Sequence, residues 1–103
     1  MGKVKAIMVE SIITDNLREC FICHRTPVEI HHIVFGTANR EISDKFGLIV
    51  PLCAYHHREG PTAVHADYRA NKYFKKLAQE RFDAVYGDKY TWRELFGKEW
   101  FEE

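Results

Sequence analysis

The chain has 103 residues, with 15 basic against 15 acidic side chains and no net charge when histidine is neutral. That length is one small domain, and a hydrophobic content of 46% excludes wholesale disorder. Its three cysteines cannot all pair within the chain, which argues against a disulfide scaffold.

In chain order, residues 3–19 fit either a helix or a strand, lined by Val4, Ile7, Met8, Ile12 and Ile13, with Asp15 capping a short turn toward Leu17. Met1 to Cys20 carries no long apolar run. Neither a signal peptide nor a membrane span is expected, and the chain reads as cytoplasmic. Val28 to Val34 is rich in β-branched residues after Pro27 and predicts a strand. Phe35 to Asp44 is polar, with Gly36, Thr37, Asn39 and Ser43, and predicts a loop. Leu48 to Leu52 predicts a second strand, which Pro51 confines to an edge or an end. Cys53 to Arg58 predicts a helical turn closed by Gly60-Pro61. Phe74, Leu77, Ala78, Phe82 and Val85 recur at helical spacing, so a helix is expected from Asn71, its N-cap, to Tyr86, with Gly87 as the stop. Trp92, Leu95, Phe96, Trp100 and Phe101 predict a last short helix. Tyr73, Phe74, Phe82, Tyr86, Trp92 and Phe96 are expected in the core.

All three cysteines and all six histidines fall between Cys20 and His65. Thiolate and imidazole are the preferred ligands of Zn²⁺. The two knuckles, Cys20-x-x-Cys23 and Cys53-x-x-His56, supply the four ligands of one tetrahedral structural site, a staple that suits so small a core. His56 and His57 are adjacent, so the spacing leaves open which of them completes the zinc site. His24, His31, His32, His57 and His65 exceed what a structural zinc needs, and that surplus suggests chemistry beside the staple.

Charge is unevenly spread. Residues 54–81 carry six basic side chains (Arg58, Arg69, Lys72, Lys75, Lys76 and Arg81) against three acidic ones. On composition alone this is a solvated helix face. Next to a metal cluster, Arg58, Arg69, Lys72, Lys75 and Lys76 become candidates for contact with a phosphate backbone, as does Arg40 in the predicted loop.

Two strands followed by a helix, with a histidine pair on the first strand and more histidines at the helix start, resemble the ββα-metal site of the HNH endonuclease family. The resemblance rests on Cys20-x-x-Cys23, Ile30-His31-His32-Ile33, Pro51-Leu52-Cys53-x-x-His56-His57 and Val64-His65. It is strongest to small phage- and prophage-type HNH proteins, through Phe35-Gly36-Thr37, Asn39-Arg40, Ser43, Gly47-Leu48 and on to Phe96-Gly97-Lys98. It is more distant to the nuclease domain of phage recombination-enhancement proteins. It spans roughly residues 20–100 and implies an α+β fold: one HNH-type domain over 1–103, made of an N-terminal segment (1–19), a metal-binding ββα core (20–65) and a helical extension (66–103).

Carried over from the family, His31 is a ligand of a second, catalytic divalent metal and His32 is the general base for water attack on a DNA phosphodiester. His57 is the helix-side ligand, and His65 a further ligand or phosphate contact. A neutral imidazole suits the base role because its pKa lies near 7. Many family members have Asp where His31 stands. Imidazole is softer, so the catalytic metal is expected to be Zn²⁺, Mn²⁺ or Ni²⁺ more readily than Mg²⁺. The motif's middle Asn has no clear match, and Asn39 and Asp44 are the candidates to orient the base. DNA is the implied partner, while the DNA form and a homodimeric state stay open. Two other classes compete. One is a non-catalytic, zinc-stapled nucleic-acid-binding module. The other is a haem attachment site at Cys20-Phe21-Ile22-Cys23-His24, which requires an exported protein and ignores Cys53.

Overall fold

The computed structural model describes residues 10–34 and 37–96. The expectations for Val4, Ile7, Met8, Phe35, Gly36, Gly97, Lys98, Trp100 and Phe101 lie outside the described residues. The elements run β1 (Glu29–His32), α1 (Thr37–Phe46), β2 (Ile49–Leu52), a single wide turn of π-helical winding (Tyr55–Glu59), α2 (Tyr68–Tyr86) and α3 (Trp92–Phe96). This is a small α+β fold. β1 and β2 pair antiparallel, with Glu29 opposite Leu52, Ile30 opposite Pro51, His31 opposite Val50 and His32 opposite Ile49. All of β2 is buried, and both strands are shorter than their apolar runs suggested. Pro51 has no N–H to give, but its carbonyl accepts the Phe21 N–H at 2.8 Å and docks the first knuckle on the sheet.

The predicted loop at 35–44 is corrected: residues 37–46 form helix α1. Its polar residues Arg40, Glu41, Asp44 and Lys45 face solvent, while Ser43 and Phe46 are buried and Ile42 is half-buried. The Ser43 hydroxyl donates to the Val34 carbonyl at 2.9 Å, so a polar residue fills a core position at no hydrogen-bonding cost. The helix ends in a Schellman closure, with the Leu48 N–H on the Ser43 carbonyl and the Gly47 N–H on that of Asp44. Gly47 has φ +74°, and a Cβ there would lie 2.6 Å from the Glu10 carbonyl oxygen, so only glycine fits.

Helix α2 also starts earlier than predicted. Asp67, not Asn71, is the N-cap, its carboxylate accepting the Arg69 N–H at 2.9 Å. Its buried face is Phe74, Lys75, Ala78, Gln79 and Phe82, so Tyr73, expected in the core, is exposed instead, as is Val85 of the periodic apolar set. Gly87 does close the helix, its N–H on the Asp83 carbonyl. Phe46 stacks edge-on against Phe82, Tyr86 and Tyr90, and Trp92 of α3 packs on Phe82 and Phe96. Burying Phe74 or Phe82 fully is worth about 1.5–3 kcal/mol each.

Residues 10–19 run irregularly. The Ser11 hydroxyl bonds the Ile49 carbonyl, and Arg81 of α2 holds the carbonyls of Ile12 and Ile13. Thr14 and Asn16, rather than Asp15, supply the local side-chain caps. Among the described residues no helix is long and apolar enough to cross a membrane.

Candidate metal centres

Both knuckles converge. The ligand atoms of Cys20, Cys23, Cys53 and His56 all lie within 4.8 Å of one another, close enough to hold a metal ion. His56 Nδ1 is 3.3 Å from Cys53 Sγ and 3.7 Å from Cys20 Sγ, and Cys23 Sγ is 3.7 Å from Cys53 Sγ. Zn–S bonds of about 2.3 Å and Zn–N bonds of about 2.0–2.1 Å give tetrahedral edges of about 3.3–3.8 Å, so the spacing fits one Zn²⁺. Local backbone geometry makes the first knuckle. The Ile22 N–H points at Cys20 Sγ (3.4 Å), the His24 N–H bonds the Cys20 carbonyl, and His24 takes a left-handed φ of 66° to turn the chain back. Burial raises the Cys20 thiol pKa, but the backbone around it at Cys23, Cys53 and Ile22, together with His56, outweighs that and lowers it to about 6. A thiolate ready at neutral pH is what a metal ligand must be. His24 itself points away, paired with Glu19 at 2.9 Å on the surface.

A second cluster gathers His31, His57 and His65, whose ligand nitrogens also lie within 4.8 Å of one another. Each comes from a different place: β1, the π-helical turn, and the segment that leads into α2. That segment runs back along the turn, with the Val64 N–H on the His56 carbonyl and the His65 N–H on that of His57, which sets His65 over His57. The facing Nε2 atoms of His57 and His65 are 3.1 Å apart. Two nitrogens about 2.0–2.1 Å from one ion sit about 3.3 Å apart in a tetrahedral site, so this donor set also fits a metal. Burial, followed by the charges of His65, His57, Lys75 and His32, holds His31 down to about 3. Burial likewise lowers His65, and His57 and Lys75 add to the effect. Near pH 7 both rings are therefore neutral lone-pair donors.

Alternation along β1 sends Glu29 and His31 to one face and Ile30 and His32 to the other. Glu29 escaped the sequence reading. Its Oε1 accepts from His57 Nδ1 at 2.6 Å, and Arg58 grips the same carboxylate through Nε (3.0 and 3.2 Å) and Nη2 (2.7 Å). Arg58, then His57, hold the Glu29 carboxyl down to about 2. The signal was available: Glu29 stands two residues before His31 on a strand and so shares its face. On the opposite face His32 meets Asp44 of α1, Nε2 to Oδ1 2.8 Å, so Asp44, one of the two candidates to orient the base, lies against that ring.

The basic residues divide. Lys75 is buried, not on the open surface where its neighbours in the sequence suggested; its ammonium donates to the Ile33 carbonyl at 2.8 Å, and burial pulls its pKa down to about 8. Arg58 is engaged with Glu29 and lies 3.5 Å from Glu59. Arg69 is open to solvent beside Asp67, Lys72 lies 5.9 Å over the Tyr68 ring, Lys76 is half-buried on α2, and Arg40 is exposed on α1. No family model, no curated protein and no solved structure matches this chain.

Proposed function

We propose that the chain is a metal-dependent HNH endonuclease that hydrolyses DNA phosphodiester bonds, with a structural Zn²⁺ on Cys20, Cys23, Cys53 and His56. The observation that carries this reading is the division of labour between adjacent residues of β1: His31 is buried in a three-imidazole cluster, while His32 turns the other way onto a carboxylate.

A carboxylate only accepts, so the His32 nitrogen facing Asp44 carries the proton and Nδ1 keeps its lone pair. Nδ1 takes the proton of the attacking water as the water oxygen bonds phosphorus. Asp44 steadies the imidazolium that results. The bond from phosphorus to the leaving 3′ oxygen then breaks, with the electron pair staying on that oxygen. On the other face Glu29 plays the matching part for His57, leaving its Nε2 lone pair directed at the cluster. His31, His57 and His65 would hold a divalent cation, which would supply Lewis acidity to stabilise the charge that develops on the phosphate. Arg69, Lys72 and Lys76, with Arg40 on α1, are the side chains that meet the DNA backbone in this reading, without strong sequence preference.

The test is a cleavage assay over single-stranded, duplex and branched DNA with Mg²⁺, Mn²⁺, Ni²⁺ and Zn²⁺ in turn, with His32→Ala beside the wild type. Metal-dependent cleavage that vanishes in a folded His32→Ala protein supports the proposal. Tight DNA binding without cleavage under every metal would leave a zinc-stapled binding module in its place.

A further inference from the structure

We propose that Glu29 is the positioning residue of the three-histidine cluster, fixing the tautomer and ring orientation of His57, and that Arg58 in turn fixes Glu29. This rests on the reading of His31, His57 and His65 as metal ligands. Glu29 and His31 project from one face of β1, so the strand that contributes a buried imidazole also contributes the carboxylate that reaches its neighbour in the turn. At 2.6 Å from Glu29 Oε1, His57 Nδ1 must be the protonated nitrogen, because the carboxylate has no proton to give. Nε2 is then the nitrogen that carries the lone pair, and it is the atom that faces His65 Nε2 at 3.1 Å. With the opposite tautomer, His57 would aim an N–H into the cluster and repel a cation. Arg58 leaves the carboxylate little freedom to turn, since it holds both oxygens from the residue after His57. Glu29 puts a negative charge directly against the His57 ring, which raises that ring's strength as a metal ligand.

The experiment is a cobalt titration of protein that retains zinc in its Cys3His site, followed by visible absorption and calorimetry; no DNA is involved. Glu29→Ala should weaken cobalt binding about 10–100-fold. Glu29→Gln, which keeps an acceptor for Nδ1–H, should restore part of that loss. Two-dimensional ¹H–¹⁵N spectra should find His57 protonated on Nδ1 in the cobalt-free wild type and shifted toward the Nε2–H tautomer in Glu29→Ala. If Glu29 only ties strand to turn, Glu29→Ala and Arg58→Ala will both lower the melting temperature while cobalt affinity and the His57 tautomer stay unchanged, and the proposal is overturned. A wild type that takes up no cobalt beside its zinc would overturn the metal reading beneath it, and with it this role for Glu29. Cobalt binding that follows Glu29 in a protein that never cuts DNA would leave this inference standing and sink only the nuclease.

Discussion

His32 Nε2 and Asp44 Oδ1 lie 2.8 Å apart, joining a strand residue to a helix residue twelve positions later. A positioned general base contributes about a hundredfold to ten-thousandfold. His32→Ala should therefore reduce cleavage by that factor, with zinc content, melting temperature and most DNA binding retained. Asp44→Asn removes the charge that steadies the imidazolium and should fall between the two. Undiminished cleavage by a folded His32→Ala protein would refute the base assignment.

Removing the Cys3His metal should unfold the domain. A structural zinc contributes about 10–16 kcal/mol in small peptides, as much as the whole stability of about 5–15 kcal/mol typical of a domain. Chelation, or Cys53→Ser, is expected to abolish the cooperative thermal transition and the dispersion of amide signals. Native protein with no bound zinc, or a Cys53→Ser variant that melts like the wild type, would rule the site out.

Acid should weaken the cobalt-free fold through His31. The ring is held at about 3 in the folded chain against 6.5 for an unperturbed histidine. Between those values the unfolded chain binds the proton and the folded chain does not, so this contribution to stability declines as pH falls from about 6.5 toward 3. The slope is at most about 1.4 kcal/mol per pH unit for one proton. His65, also lowered, acts in the same direction. Urea midpoints between pH 7 and 5.5 should fall more steeply for wild type than for His31→Phe. Equal slopes would mean that His31 is as easily protonated in the fold as out of it.

Lys75 and Lys72 should behave as different kinds of residue. Lys75→Ala leaves the Ile33 carbonyl without its ammonium partner, at a cost of about 1–3 kcal/mol, and should show as lower stability. Combined alanine substitution of Arg69, Lys72 and Lys76 should leave melting unchanged, lower DNA affinity and flatten its dependence on salt. DNA affinity unchanged in that triple variant at moderate salt would remove α2 from the binding surface.

The Cys20, Cys23, Cys53 and His56 grouping was legible because each knuckle is local: two candidate ligands three residues apart on a tight turn need no knowledge of the tertiary fold, whereas the His31, His57 and His65 grouping came from the family resemblance. The strands were legible from β-branched residues. Helix α1 was not, since its buried contacts are few and one of them is Ser43, whose hydroxyl is satisfied by Val34. Only Gly47, poised as a helix stop, hinted at it. Lys75 was hidden by its basic neighbours, although it precedes Ala78, Gln79 and Phe82 on the buried face of α2. Glu29 looked like an ordinary solvent-facing acid, and its contact with His57 needs the tertiary pairing of β1 with the turn.

His56 belongs to one cluster and His57 to the other, so a single peptide bond spans the two centres. The π-helical winding of Tyr55–Glu59 sets how far the chain rotates between them. Inserting or deleting one residue in this turn would offer each imidazole to the wrong centre, damaging staple and cluster in one event. Length changes here should therefore disrupt both clusters, while point changes at Tyr55 or Glu59 are absorbed. Neither centre can drift in sequence register on its own: the turn makes them a single heritable unit.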